Sequence, residues 1–353
     1  MADQSALSPA AAPSAQSRAK IQLAVSLNAA YSRDRSPVAQ FEERLEQVRA
    51  ARDAGFVAVW MGEHYLARPE PWFQNTLAMA RFAAETGAMG LGAIILLSLR
   101  NPIELAEQIA TLDVISGGRF ACTLGQGWRE EEFEAFNIPI KTRVGRFREG
   151  LEIMKRLWTD DDVTFTGKHF KLRNVTMLNR PIQQPHPKIW IAASSEAAVR
   201  RAADLGHPWM TSAHTPFAML EKMGLAYRAR LEELGQPAPP DVAALRHVHV
   251  AATFDAAVDE AGPYLEEYYQ AFGSWGLFRD VIKLNRDSLE RDEVLQGRPI
   301  LGGPGDVVAQ MQRFHELFGV TYFVCRVGQT RMPHPLVMKT IRQLGSDVLP
   351  QLS

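Results

Sequence analysis

Glu63, His64 and Tyr65 place a carboxylate, an imidazole and a phenol on three successive residues. An imidazole held by polar neighbours can serve as a general acid or base near neutral pH. A lone histidine is as often structural as catalytic, so its setting matters. Here it follows Phe56-Val-Ala-Val-Trp60, an apolar run bounded by Gly55 and Gly62, which reads as a short strand buried on both faces. Polar side chains at the C-terminal end of such a strand are how a parallel α/β barrel presents catalytic groups.

Two further stretches could hold a ligand. Ile189-Trp-Ile-Ala-Ala193 runs directly into Ser194, Ser195 and Glu196, a strand leading to a helix start. Free amides at a helix N-terminus attract phosphate, although Ser is also an ordinary N-cap there. Gly125, Gln126, Gly127 and Trp128 follow another apolar run, and their glycines permit close approach of a ring or phosphate. Gly302-Gly-Pro-Gly305 reads instead as a turn opening a helix, with no buried strand before it. His247 and His249 share one strand face, yet they fall at the start of their expected strand, 245–252, without a carboxylate cluster, so no metal site is assigned. A G-x-S-x-G nucleophile elbow is missing, which argues against a serine hydrolase.

The elements that must position these groups alternate regularly. Strands are expected at 21–26, 56–60, 91–97, 119–124, 188–193, near 209, at 245–252 and at 320–327. Helical spacing fills 37–54, 76–86, 103–115, 143–158, 195–205, 216–234, 255–272, 277–295, 304–317 and 335–349. Eight strand–helix units predict a (β/α)8 TIM barrel with insertions over residues 20–353. The insertions fall near 159–187, where a hairpin is expected around Gly167-Lys168, and near 273–300. Residues 1–19, rich in Ala, Ser, Pro and Gln, read as a disordered tail, and the first 17 lack the features of a signal peptide.

Bulk properties narrow the class. A net charge of −1 offers nothing to nucleic acid or a membrane surface. The longest apolar stretch, around 91–97, is too short to span a bilayer. Cys122 and Cys325 sit inside apolar runs as small hydrophobes, which fits a reducing, cytoplasmic setting.

The ordered set of segments resembles the luciferase-like, flavin-dependent monooxygenase superfamily. The matching pieces are Gly55 to Trp60 with Glu63-His64, Asn101-Pro102 to Glu107, Thr111 to Phe120, Gly125 to Trp128 with Glu131, Arg143 to Trp158, Pro185 to Trp190, and Val348-Leu-Pro350. The resemblance implies a barrel that binds reduced FMN, or in one branch the deazaflavin coenzyme, at its C-terminal mouth. It implies that His64 is the active-site histidine; Tyr65 stands where many members carry a second one. Ser194, Ser195 and Glu196 match the phosphate-holding segment. Gln126 replaces a phosphate-binding arginine of bacterial luciferase, which leaves Arg129, Arg143 and Arg146 as candidate cations. A non-proline cis peptide under the flavin ring is expected near Ala93 and Ile94, and a homodimer through the second and third helices.

The implied reaction uses reduced FMN, supplied by a separate flavin reductase, and O2 to oxygenate a small organic substrate. Trp72, Phe73 and Trp128 are the expected pocket walls. Loops 66–75, 128–141 and 273–298 would set specificity, and the last could close as a lid. Alternatives on the same barrel are deazaflavin-dependent hydride transfer and a non-catalytic flavin-binding subunit.

Overall fold

The computed structural model describes residues 20–237, 239 and 242–352, so the expected tail at 1–19 lies outside the described residues. In chain order the elements are β1 (Gln22–Leu27), α1 (Pro37–Asp53), β2 (Ala58–Met61), α2 (Asn75–Phe82), β3 (Gly90–Leu96), α3 (Pro102–Ser116), β4 (Phe120–Gly125), α4 (Glu130–Ala135) and α5 (Arg143–Thr159). Then follow the hairpin β5 (Val163–Thr166) and β6 (Lys171–Val175), β7 (Lys188–Ala193), α6 (Glu196–Asp204), β8 (Trp209–Thr211), α7 (Phe217–Glu233) and β9 (Val242–Val250). The chain ends with α8 (Phe254–Ser274), α9 (Arg291–Leu295), β10 (Ile300–Gly302), α10 (Pro304–Phe318), β11 (Val320–Arg326) and α11 (His334–Gln343).

The main sheet runs β9-β11-β1-β2-β3-β4-β7-β8 and closes through β8–β9, with every pairing parallel. This is the closed (β/α)8 TIM barrel expected from the sequence. β10 is an unexpected short strand that pairs with the end of β9, so a buried strand does precede Gly302-Gly303. Three residues are too few to carry a periodic signal. The 277–295 stretch is also not one helix: it forms a wide helical turn at Leu277–Val281 and then the short α9.

Local chemistry sets the helix ends. Ser36 Oγ accepts from the Ala39 amide ahead of Pro37, and Asn101 Oδ1 accepts from Ile103 ahead of Pro102.

Two cores result. The larger lies between strands and helices; the smaller fills the barrel lumen with Ala24, Ala58, Trp60, Trp190, Met210, Ala243, Leu245 and Val324. Trp60 spans the lumen, donating its indole N–H to Tyr322 Oη at 3.0 Å and meeting Trp190 edge-on. Gly92 makes room for it, since a Cβ there would lie 2.1 Å from the indole ring. Gly92→Ala forces a rigid, fully buried ring to move and is expected to cost about 2–3 kcal/mol, read from a lowered urea midpoint.

The Ala93–Ile94 peptide is not cis: among the described residues the cis bonds are Arg68–Pro69 and Gln184–Pro185. β3 runs through this point in unbroken register with β4, pairing Ala93 with Cys122 and Ile94 with Thr123.

Candidate active site

A cavity of about 330 Å³ opens at the C-terminal mouth of the barrel, within the usual range for small-molecule sites. His64, Ile94, Gln126, Gly127, Trp128, Ser194 and Ser195 all line it. The ends and loops of four strands, β2, β3, β4 and β7, thus converge, as the barrel architecture requires.

His64 is tied down by a carboxylate the sequence reading missed. Its Nδ1 lies 2.9 Å from Glu132 Oε1, and the Tyr65 amide donates to the same oxygen at 2.8 Å. The carboxylate can only accept, so Nδ1 carries the proton. Nε2 is then left without a protein partner among the described residues. Glu132 is buried on α4 beside Phe133, whereas Glu131, the residue matched at the sequence level, is exposed and faces Arg129. Gly127, at φ +75°, brings the chain over Phe133, 3.0 Å from where a Cβ would stand. Rings of Trp72, Phe272, Trp275 and Trp128 surround the imidazole with centroids 4.8, 5.6, 5.1 and 6.2 Å away.

Glu63 and Tyr65 do not hold the imidazole. Glu63 accepts from the Leu96 amide, Arg100 and Tyr65 Oη at 2.7, 2.8 and 2.7 Å. Burial pushes the Glu63 carboxyl up, with the Arg100 charge and the Leu96 amide opposing it. Burial and the Glu63 charge push the Tyr65 phenol above its ordinary value. The three side chains form a buried brace under the β2 and β3 ends, and Tyr65 is not among the cavity's lining residues.

Other expected residues divide by strand parity. Ile94 faces the cavity, while Ala93 packs in the outer core. Trp72 and Trp128 are walls, but Phe73 is turned outward and stacks on Tyr31 at 4.2 Å. Ser195 caps α6 by accepting from Ala198, and the exposed Glu196 sits in the first helical turn, away from the lining.

Of the three candidate cations, Arg143 lines the cavity. Arg129 lies buried over the Trp275 ring at 4.5 Å and donates to the Tyr65 carbonyl; Arg146 donates to the Ser98 carbonyl and lies over Phe170. Burial, with the charges of Arg148 and Arg143 and against that of Asp204, lowers the Arg201 guanidinium on α6.

The 273–300 excursion covers the mouth. Leu277, Asp280, Val281 and Lys283 line the cavity, and Trp275 Nε1 donates to the Arg68 carbonyl at 2.8 Å, strapping this segment to the loop after β2.

His247 and His249 lie toward the C-terminal end of β9, not at its start, because the strand begins at Val242. Each is engaged separately: His247 Nδ1 accepts from Gln329, while His249 sits between Glu260 and Thr340. Among the described residues no group of three or more His, Cys, Asp or Glu is placed to hold a metal ion.

The family model for luciferase-like monooxygenases matches residues 21–321. The oxygenase component of the flavin-dependent trigonelline monooxygenase of Acinetobacter baylyi is 27% identical over 272 residues, covering 73% of this chain and 72% of that protein. An F420-dependent glucose-6-phosphate dehydrogenase of Kineococcus radiotolerans is 26% identical over 320 residues, covering 86% and 90%. Among solved structures, the monooxygenase RslO1 of Streptomyces bottropensis superposes with a TM-score of 0.83 at 26% identity, covering 94% of this chain and 100% of that one.

Proposed function

The chain belongs to the luciferase-like monooxygenase family, and from that premise we propose that it is a flavin-dependent monooxygenase using reduced FMN and O2 to oxygenate a small organic substrate. The observation that carries this reading is the two-ended cavity. One end has Ser194, Ser195 and Arg143; the other has His64 within an aromatic wall. No helix among the described residues is long and apolar enough to cross a membrane.

The residues fit a phosphorylated flavin. The α6 start offers amides without intrahelical partners, the Ser194 and Ser195 hydroxyls stand beside it, and Arg143 supplies charge for a phosphate. Ile94, Met210 and Leu245 give an apolar floor for a flat ring. When bound, reduced flavin supplies the electrons that activate oxygen.

The protein's own part is proton handling and exclusion of water. His64 Nε2 takes or delivers a proton at the reacting centre, and Glu132 stabilises the imidazolium and holds its tautomer. Trp72, Trp128 and Phe272 keep the site dry, while the Trp275–Arg68 strap holds the cover. Glu63 and Tyr65 act at a distance, as positioning residues for the β2 end.

A separate reductase delivering reduced FMN is part of this proposal, as suits a chain similar to an oxygenase component. A homodimer is also proposed, since α2 and α3 leave Leu77, Val114 and Ile115 exposed. The second reading, deazaflavin-dependent hydride transfer, draws on the F420-dependent relative.

Anaerobic titration of the purified protein, followed by tryptophan emission, separates the two. Reduced FMN is expected to bind at least about tenfold more tightly than the reduced deazaflavin, a difference near 1.4 kcal/mol. The reverse preference makes the protein a hydride-transfer enzyme, and binding of neither removes both readings.

A further inference from the structure

Arg326, the last residue of β11, is 8% exposed and lines the cavity three strands round the barrel from β7, which leads to the serine end. Its Nη1 donates to Tyr268 Oη at 2.5 Å, and no carboxylate pairs with it among the described residues. Its Nη2 reaches under the end of β2, 3.8 Å from where a Cβ of Gly62 would stand, two residues before His64.

Other buried arginines are accommodated differently. Arg100 pairs with Glu63, while Arg246 and Arg298, which do not line the cavity, donate to main-chain carbonyls. Two acids line the cavity, and both are engaged: Glu63 by Arg100, and Asp280 by Arg279. Arg326 therefore presents a charged, half-used fork to the cavity without a counterion, which is costly unless a ligand supplies one. Beside it stands His214, whose buried Nδ1 has no partner. Burial, reinforced by the Arg326 charge, holds His214 neutral, so this wall carries one cation and no opposing charge.

The surroundings are flat and apolar. His214 lies 4.8 Å from Phe272 and stacks on Tyr268 at 5.8 Å, and Phe272 in turn lies 5.6 Å from His64. These rings pack on one another and form a continuous apolar wall along which a planar body can lie, with its head on Arg326 and its far part toward His64.

We propose that Arg326 anchors an anionic head group of the organic substrate, and that the substrate class is small aromatic carboxylates or sulfonates. A planar guanidinium matches two oxygens of such a head in a bidentate contact. This deepens the reading above and rests on it for the reaction, but not for the binding. The ring of reduced flavin is the other source of an anionic acceptor, and the two are separable.

The test uses flavin-free protein titrated with benzoate, benzenesulfonate and benzamide, followed by tryptophan emission, then repeated with reduced FMN present. Benzoate and benzenesulfonate are expected to bind about tenfold or more tightly than benzamide, as a charge-assisted pair requires. Arg326→Met should erase that preference and change reduced-FMN affinity by less than about threefold, while Arg326→Lys, which keeps charge without the fork, should retain part of it. The proposal is overturned if the unmodified protein binds none of the three probes, or binds them equally. It falls also if Arg326→Met keeps the preference, or loses reduced FMN while keeping it, which assigns Arg326 to the cofactor. Should the Met variant not fold, the unmodified protein and the Lys variant decide alone. Failure to bind reduced FMN with the anion preference intact removes the oxygenase reading and leaves the anion subsite standing.

Discussion

His64→Ala should cut turnover by roughly 10²–10⁴ while leaving reduced-flavin affinity within a few-fold, because in the proposed reaction the imidazole handles protons and does not hold the cofactor. The magnitude is that of a positioned acid–base group. Binding is expected to be spared because the serine end follows β7, three strands round the barrel from β2, whose end carries His64. Glu132 refines the test. Glu132→Gln keeps an acceptor for the His64 Nδ1–H and the Tyr65 amide but removes the charge facing the imidazolium. Glu132→Ala removes both. Product formed per reduced flavin consumed should fall in the order wild type, Glu132→Gln, Glu132→Ala, with the last close to His64→Ala. Equal activity of the Gln and Ala variants would show that Glu132 only fills space.

The largest effect on stability is expected at the brace beneath the site. Arg100→Met leaves the Glu63 carboxylate buried with only the Leu96 amide and Tyr65 hydroxyl as donors, and should cost about 3–5 kcal/mol at pH 8. The pH dependence has a defined sign. Burial already raises the Glu63 carboxyl in the folded state, and losing the Arg100 charge raises it further. Above the unfolded carboxylate pKa the native state then binds more protons than the unfolded one, so stability falls as pH rises through the folded pKa. The deficit of Arg100→Met should therefore shrink as pH drops toward 5, and Glu63→Gln in the same background should recover part of it at pH 8. Urea midpoints at the two pH values decide the matter; a deficit that is flat with pH would mean the loss is packing alone.

The barrel was readable from the sequence because its strands are buried on both faces and write themselves as apolar runs between glycines and helix signals. The same property concealed which residues face the lumen. A run without alternation, such as β3, gives no parity, so Ala93 and Ile94 looked alike although only Ile94 lines the cavity. β9 begins in the small residues Val242, Ala243 and Ala244, and that weak opening displaced His247 and His249 to the wrong end of the strand. Glu132 was hidden for another reason. It is the third glutamate in a row, and only the helical turn of α4, which buries Glu132 with Phe133 and exposes Glu130 and Glu131, tells it apart. Arg326 fell inside the expected strand 320–327, and nothing in its local pattern singled it out. Its missing counterion is a property of three-dimensional neighbours, which no local window contains.

The closure of the barrel through β8 carries a mechanical consequence. β8 has three residues, and just two of them, Met210 and Thr211, pair with Ala243 and Ala244 of β9, whereas β11 meets β9 along most of its length. The cylinder therefore has a seam. Local opening costs least where the fewest ladder bonds must break, and this seam feeds directly into Ser212 and His214 on the cavity wall. Opening of the β8 stave is therefore expected to precede loss of register elsewhere in the wall, and it lies on the side of the cylinder opposite β2, whose end carries His64.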